Sequence, residues 1–152
     1  MSSGPKIGIK IGNTNAYVAV NGQMVSNADG SRNTICMVNE DKSVGLAAQS
    51  KWVRMPEQNL DKDRKEFWEG LMDDLKITVE SNSGEKFENC QTVVVTEDDR
   101  CRKFLENWKV QLCSCPDNLI LDEYHDGKSD NICLVRFGGS TVSFNVMQFL
   151  YK

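Results

Sequence analysis

The chain changes its hydrophobic period along its length. Residues 6–11 (KIGIKI) and 15–20 (NAYVAV) are rich in β-formers and flank a turn at Gly12-Asn13-Thr14, so they predict two strands. Asn21-Gly22 supplies the strongest short hairpin signal. Asp29-Gly30 marks a second turn and Thr34–Val38 a further strand, which makes the first forty residues a β-meander. The period then lengthens. Phe67, Trp68, Leu71, Met72, Leu75 and Val79 recur at three- and four-residue spacing and predict an amphipathic helix over about 62–80, closed by Ser81-Asn82-Ser83-Gly84. Residues 91–96 (QTVVVT) predict a short apolar strand. Thr96 with Asp99 three residues on resembles a capping box, and Cys101, Phe104, Leu105, Trp108 and Leu112 trace one face of a second helix. Residues 118–122 (NLILD) read as a buried strand, followed by the turn HDGKSD. A strand at 131–137 (NICLVRF), a turn at Gly138-Gly139-Ser140 and a last strand (TVSFNVMQFL) complete the chain. Strands alternating with helices beside a meander predict an α/β layered domain with a mixed sheet.

At 152 residues the chain is long enough for one core and too short for two ordinary domains. Hydrophobic residues make up 39% and charged residues 26%, the balance of a globular domain. The net charge of −4, without clustered Lys and Arg, argues against direct binding to nucleic acid. The opening MSSGPKIGIKIG lacks the basic start and apolar run of a secretory signal, and no stretch approaches the roughly 20 apolar residues of a membrane span. A cytoplasmic location is the expectation. Cys36, Cys90, Cys101, Cys113, Cys115 and Cys133 are irregularly spaced, and most lie in apolar runs as small core residues. Cys113-Ser-Cys115 with the single histidine, His125, is too sparse for a zinc site, which ordinarily shows two close ligand pairs. Asp73-Asp74 and Asp98-Asp99 read as solvated faces or helix N-terminal charge.

Candidate chemistry sits at two strand–turn–strand units. Ile9-Lys10-Ile11-Gly12-Asn13-Thr14-Asn15 is one, and Val135-Arg136-Phe137-Gly138-Gly139-Ser140-Thr141 is the other. Glycine turns after strands can aim backbone N–H groups at one spot and so cradle a phosphate. Thr14, Ser140 and Thr141 add hydroxyls. Neither turn fits the longer P-loop or the dinucleotide fingerprint, which need a following helix.

Taken in order, IGIKIGNTNAYVAV, VSNADGSRNT, VGLAAQSK, TVVVT and NICLVRFGGSTVSFNVM resemble the nucleotide-binding lobe of the heat-shock protein 70 family, the DnaK-type chaperones, over about half the chain. The resemblance implies an actin-like ATPase fold with a ribonuclease-H-like lobe, in which two β-hairpins grip the phosphates of ATP. By resemblance the phosphate-loop positions are Gly12, Asn13 and Thr14, and Gly138, Gly139, Ser140 and Thr141. The family has an aspartate before each glycine turn to orient hydrated magnesium, whereas this chain has Lys10 and Arg136. Neither side chain offers an oxygen ligand, and both repel a cation. A charge pair at about 4 Å and an effective dielectric of ~20 interacts by roughly 4 kcal/mol, so reversing both signs abolishes a metal site. The family's catalytic lysine falls nearest Arg64 in a poorly matching stretch, and that role is not carried over.

The expectation is a single truncated lobe over 1–152, without a second lobe or peptide-binding domain and without metal or catalytic residues. Its implied function is a non-catalytic, chaperone-related module acting by protein–protein interaction. The GNTN and VGLAA spellings resemble the atypical ribosome-associated cytosolic branch, which implies a J-domain co-chaperone or a ribosome-associated complex as partner. Two alternatives stand beside it. One is weak, magnesium-independent binding of ATP or ADP, with Lys10 and Arg136 on the phosphates. The other is a diverged structural or interaction domain.

Overall fold

The computed structural model describes residues 4–113, 131–139 and 142–148. Among these the protein is a mixed α/β structure whose main sheet has six strands, with three α-helices. The strands are β1 (Lys6–Ile11), β2 (Asn15–Val20), β3 (Gln23–Met24), β4 (Asn33–Ile35), β5 (Gln91–Thr96) and β6 (Gln111–Cys113). Their order is β3-β2-β1-β5-β6, with β4 also pairing β2. Strands β2 and β1 are antiparallel, whereas β1, β5 and β6 run parallel. Strands β7 (Asn131–Phe137) and β8 (Val142–Gln148) form a separate antiparallel pair.

Alternation sets the faces. In β1, Ile7, Ile9 and Ile11 are buried while Lys6, Gly8 and Lys10 are exposed. The buried face packs with α2 (Lys65–Ser83), whose Phe67, Leu71, Met72, Leu75 and Val79 belong to the same core. The Asn21-Gly22 turn has positive φ at both residues, 48° and 83°, as a two-residue type I′ hairpin requires. Asn21 also closes the sheet end, accepting at Oδ1 from the Lys6 N–H at 3.0 Å.

The α2 helix runs past its expected end. Ser81 and Asn82 turn their side chains back onto the carbonyls of Ile77 and Thr78, so they continue the helix rather than stop it. Only Gly84, at φ 72°, ends it, its N–H bonded to the Glu80 carbonyl. Asp74 corrects the expectation of a fully solvated pair. It is half-buried, and burial, followed by the charge of Asp29, raises its carboxyl above the usual range.

The second predicted helix is shorter than its apolar spacing suggests. Helix α3 covers only Asp99–Phe104, and its cap is Asp98, which accepts at Oδ1 from the Arg100 N–H at 2.9 Å. Thr96 instead accepts from the Asp98 N–H. Cys101 reaches the core from the helix itself, whereas Leu105 and Trp108 reach it beyond the helix through turns and bends, with Trp108 set edge-on to Phe87 at 6.1 Å. Leu112 leaves the helical face altogether and lies on β6, opposite Val94. The Thr34–Val38 strand shrinks to β4, because Val38 bridges to Val44 instead of extending the ladder. Helix α1 (Leu46–Trp52) emerges from the VGLAAQSK segment. The 118–122 strand and the HDGKSD turn lie outside the described residues.

Three cysteines are buried as expected, Cys36, Cys90 and Cys101. Cys133 is exposed and departs from the core expectation, and Cys115 and His125 lie outside the described residues. Among the described residues no helix is long and apolar enough to cross a membrane.

Helix α2 meets the segment after β4 closely at Gly70, where an added Cβ would lie 2.7 Å from Val38 Cγ1. In an open helix Gly70→Ala would stabilise by up to about 1 kcal/mol. Here overpacking outweighs propensity, and the substitution is expected to lower stability by roughly 1–2 kcal/mol in urea unfolding. Adding Val38→Ala is expected to reduce the penalty of Gly70→Ala. Strict additivity of the two changes would contradict this account.

Candidate functional site

The carboxyl ends of β1 and β5 lie side by side, with Ile11 paired to Thr96. In open α/β sheets this is the edge where ligands bind. The first glycine turn emerges there and is tightly wound. The Gly12 N–H donates to the Asn15 carbonyl at 2.9 Å, and a Cβ on Gly12 would sit 3.1 Å from that oxygen. The Cys36 N–H donates to the Thr14 carbonyl at 2.9 Å, tying the turn to the segment after β4. Asn15 bridges Thr14 and Asn33, donating to Thr14 Oγ1 at 3.1 Å and accepting from Asn33 Nδ2 at 2.8 Å.

The tip of the β7–β8 hairpin lies against this turn. A Cβ on Gly139 would collide with Thr14 Oγ1 and lie 2.9 Å from Thr14 Cβ, so only glycine fits. The structure therefore brings together Gly12, Asn13, Thr14 and Gly139, with Gly138 next in the chain and exposed. Ser140 and Thr141 lie outside the described residues. Arg136 pairs in register with Ser143. Lys10 is exposed on the sheet face turned away from α2, opposite Tyr17 and Val95.

One residue at this site escaped the sequence analysis. Lys62 donates from Nζ to Asn13 Oδ1 at 2.8 Å and to the Asn13 carbonyl, across 49 positions of sequence. Its own carbonyl accepts from the Trp68 indole N–H at 2.8 Å, and Trp68 is buried. The lysine is thus fixed at both ends. Arg64, the position nearest the family's lysine by counting, instead precedes α2 and pairs with Glu66 at 3.6 Å.

Two acids flanking this region in sequence, Asp63 after Lys62 and Asp98 after Thr96, are engaged. Arg100 holds Asp98 Oδ2 at 2.9 Å and Asp63 Oδ1 at 2.9 Å. Burial opposes ionisation of Asp98, but hydrogen bonds from the Arg100 side chain and backbone keep its carboxyl below the usual range. Those two aspartates in turn hold the guanidinium above its ordinary value. Among the described residues, no three His, Cys, Asp or Glu side chains converge as a metal site would need.

Beneath the turn lie two thiols. Burial pushes Cys36 up to about 11, against the opposing charge of Lys62. Burial likewise pushes Cys101 up to about 12, with a hydrogen bond to Thr96 working the other way. Both are packing groups at neutral pH.

A surface hollow of about 870 Å³ lies elsewhere, lined by Gly4, Glu88, Gln91, Trp108 and Lys109 at the amino ends of β5 and β6. It carries no glycine turn, so this hollow and the glycine-turn site do not coincide. No protein-family model matches the chain, and no curated protein matches it either.

Two outcomes follow from this geometry. Lys62→Met is expected to loosen the turn and lower stability by about 1 kcal/mol or less in urea unfolding, since its ammonium is exposed. Unchanged amide exchange at Asn13 and Thr14 in that variant would show that the lysine does not hold the turn. In native protein at pH 8, a disulfide reagent is expected to modify Cys133 quickly and to leave Cys36 and Cys101 untouched until unfolding.

Proposed function

We propose that the chain is a non-catalytic, chaperone-related module built on an actin-like ATPase lobe and acting through protein contacts. The partner that the resemblance implies is a J-domain co-chaperone or a ribosome-associated complex. The observation that carries this reading is the filling of the glycine turn by the protein's own groups. Lys62 supplies a cation to the Asn13 oxygens, and Gly139 packs directly on Thr14.

The surrounding charge points the same way. A hydrated magnesium needs carboxylates, yet Lys10 stands two residues before the turn, and Asp98 and Asp63 are tied to Arg100. Phosphoryl transfer rests on electrostatic positioning centred on the metal, so a cationic surround removes its main term. The sheet order supports the finer fold assignment. A three-stranded antiparallel meander continues, through helical crossovers, into the parallel strands β5 and β6.

A second reading is favoured by one observation, the ammonium of Lys62 at the turn. Together with Lys10 it offers protein charge to a phosphate without a metal. ATP or ADP would then bind weakly and independently of magnesium.

Calorimetric titration with ATP, with magnesium and then with EDTA, separates these readings. The non-catalytic module is expected to give no magnesium-dependent heat and no phosphate release above buffer. Heat that survives EDTA and falls in Lys62→Met selects the second reading, and magnesium-stimulated hydrolysis defeats both. Affinity capture on the folded chain that retains no chaperone, J-domain or ribosomal protein counts against the module.

A further inference from the structure

The β7–β8 hairpin carries an apolar face that is open to solvent. Val135 pairs across the ladder with Phe144, and Phe137 with Val142, so all four side chains project from one side. Their exposures are 39% for Val135, 69% for Phe144, 81% for Phe137 and 52% for Val142. Cys133, next on the same side of β7, is exposed as well. None of these five residues is charged. The two strands pair only with each other among the described elements, and a two-stranded sheet alone is marginal in water.

We propose that this face binds the same face of a second copy, giving a weak symmetric dimer. Two features of the face select a second copy over another occupant. First, a charge-free patch on a chain of net charge −4 can meet itself without the like-charge repulsion that other faces would bring. Second, the four residues form a checkerboard, with Val and Phe exchanging places between the two ladder pairs. A two-fold axis lying along the strands sets each ring of one copy over a valine of the other. Large then meets small across the interface, which is how packed layers interdigitate. An isologous contact requires this self-complementarity.

The area sets the strength. The two partly exposed rings and two valines offer roughly 400 Å² per copy, or roughly 800 Å² for the pair. That lies below the 1,200 Å² or so of standard interfaces, so the association is transient and concentration-dependent.

Sedimentation or light scattering of the full chain across ~10 μM to ~1 mM tests this, in reducing buffer so that Cys133 forms no cross-link. The measured mass is expected to climb from one chain toward two over that range. Phe137→Ser combined with Phe144→Ser is expected to hold the chain at one mass with its circular dichroism unchanged, because both rings are exposed. If that variant unfolds, Val142→Lys decides, since it charges the face and keeps both rings. A single-chain mass for wild type throughout the range overturns the proposal, and so does a dimer that survives in the folded variants. Nucleotide plays no part in these readouts, so they stand or fall apart from the proposed function.

Discussion

The parallel ladder between β1 and β5 is the constraint on which the rest of the molecule depends. It pairs Ile7 with Thr92 through to Ile11 with Thr96, while the other edge of β1 pairs with β2. Side chains alternate with a period of two, so a slip of one residue would turn three buried isoleucines outward and two lysines inward. Each exposed isoleucine costs roughly 1.5–3 kcal/mol, before the penalty of burying an ammonium is counted. The register is therefore single-valued. It also delivers Gly12 to the carboxyl edge of the sheet beside Thr96, and it obliges Lys10 to face away from α2. Fold and site share one cause.

What could be read from the sequence follows the range of the interactions involved. Strands β1, β2 and β5, the Asn21-Gly22 turn and the buried face of α2 were legible, because alternation, turn chemistry and helical spacing are local signals. The end of α3 was not. Cys101, Phe104, Leu105 and Trp108 keep helical spacing because all of them reach one core, yet only the first part of that run is helical. Parallel pairing with β5 draws 111–113 into a strand, and no local pattern signals a partner eighteen residues away. Tertiary pairing overrode propensity there.

The site divides along the same line. Both glycine turns were recognisable as turns, but their meeting at Thr14 and Gly139 depends on how a separate hairpin lies on the sheet. Lys62 was hidden more deeply. Its position is set by Trp68 holding its carbonyl, and its target lies 49 residues earlier in the chain. Counting from the family pattern falls nearest Arg64, to which no role was carried over, and spacing in a loop carries no information about which side chain bends back. The sequence has cations at 10 and 136; the structure places Lys62 on the Asn13 oxygens and ties Asp63 and Asp98 to Arg100.

The contact between the hairpin tip and the first turn is one of shape, since Gly139 contributes no side chain to it. Such contacts tolerate almost no displacement, because the clearance at Thr14 leaves no room for even one methyl group. The hairpin is therefore positioned at its tip by close fit and left uncovered on its Phe137–Phe144 face. These two properties belong together physically. A two-stranded unit gains little from its own ladder, so burial of that open face and the fit at the tip both bear on where it sits. Any protein surface that covers Phe137 and Val142 would be only a few residues along the chain from Gly139.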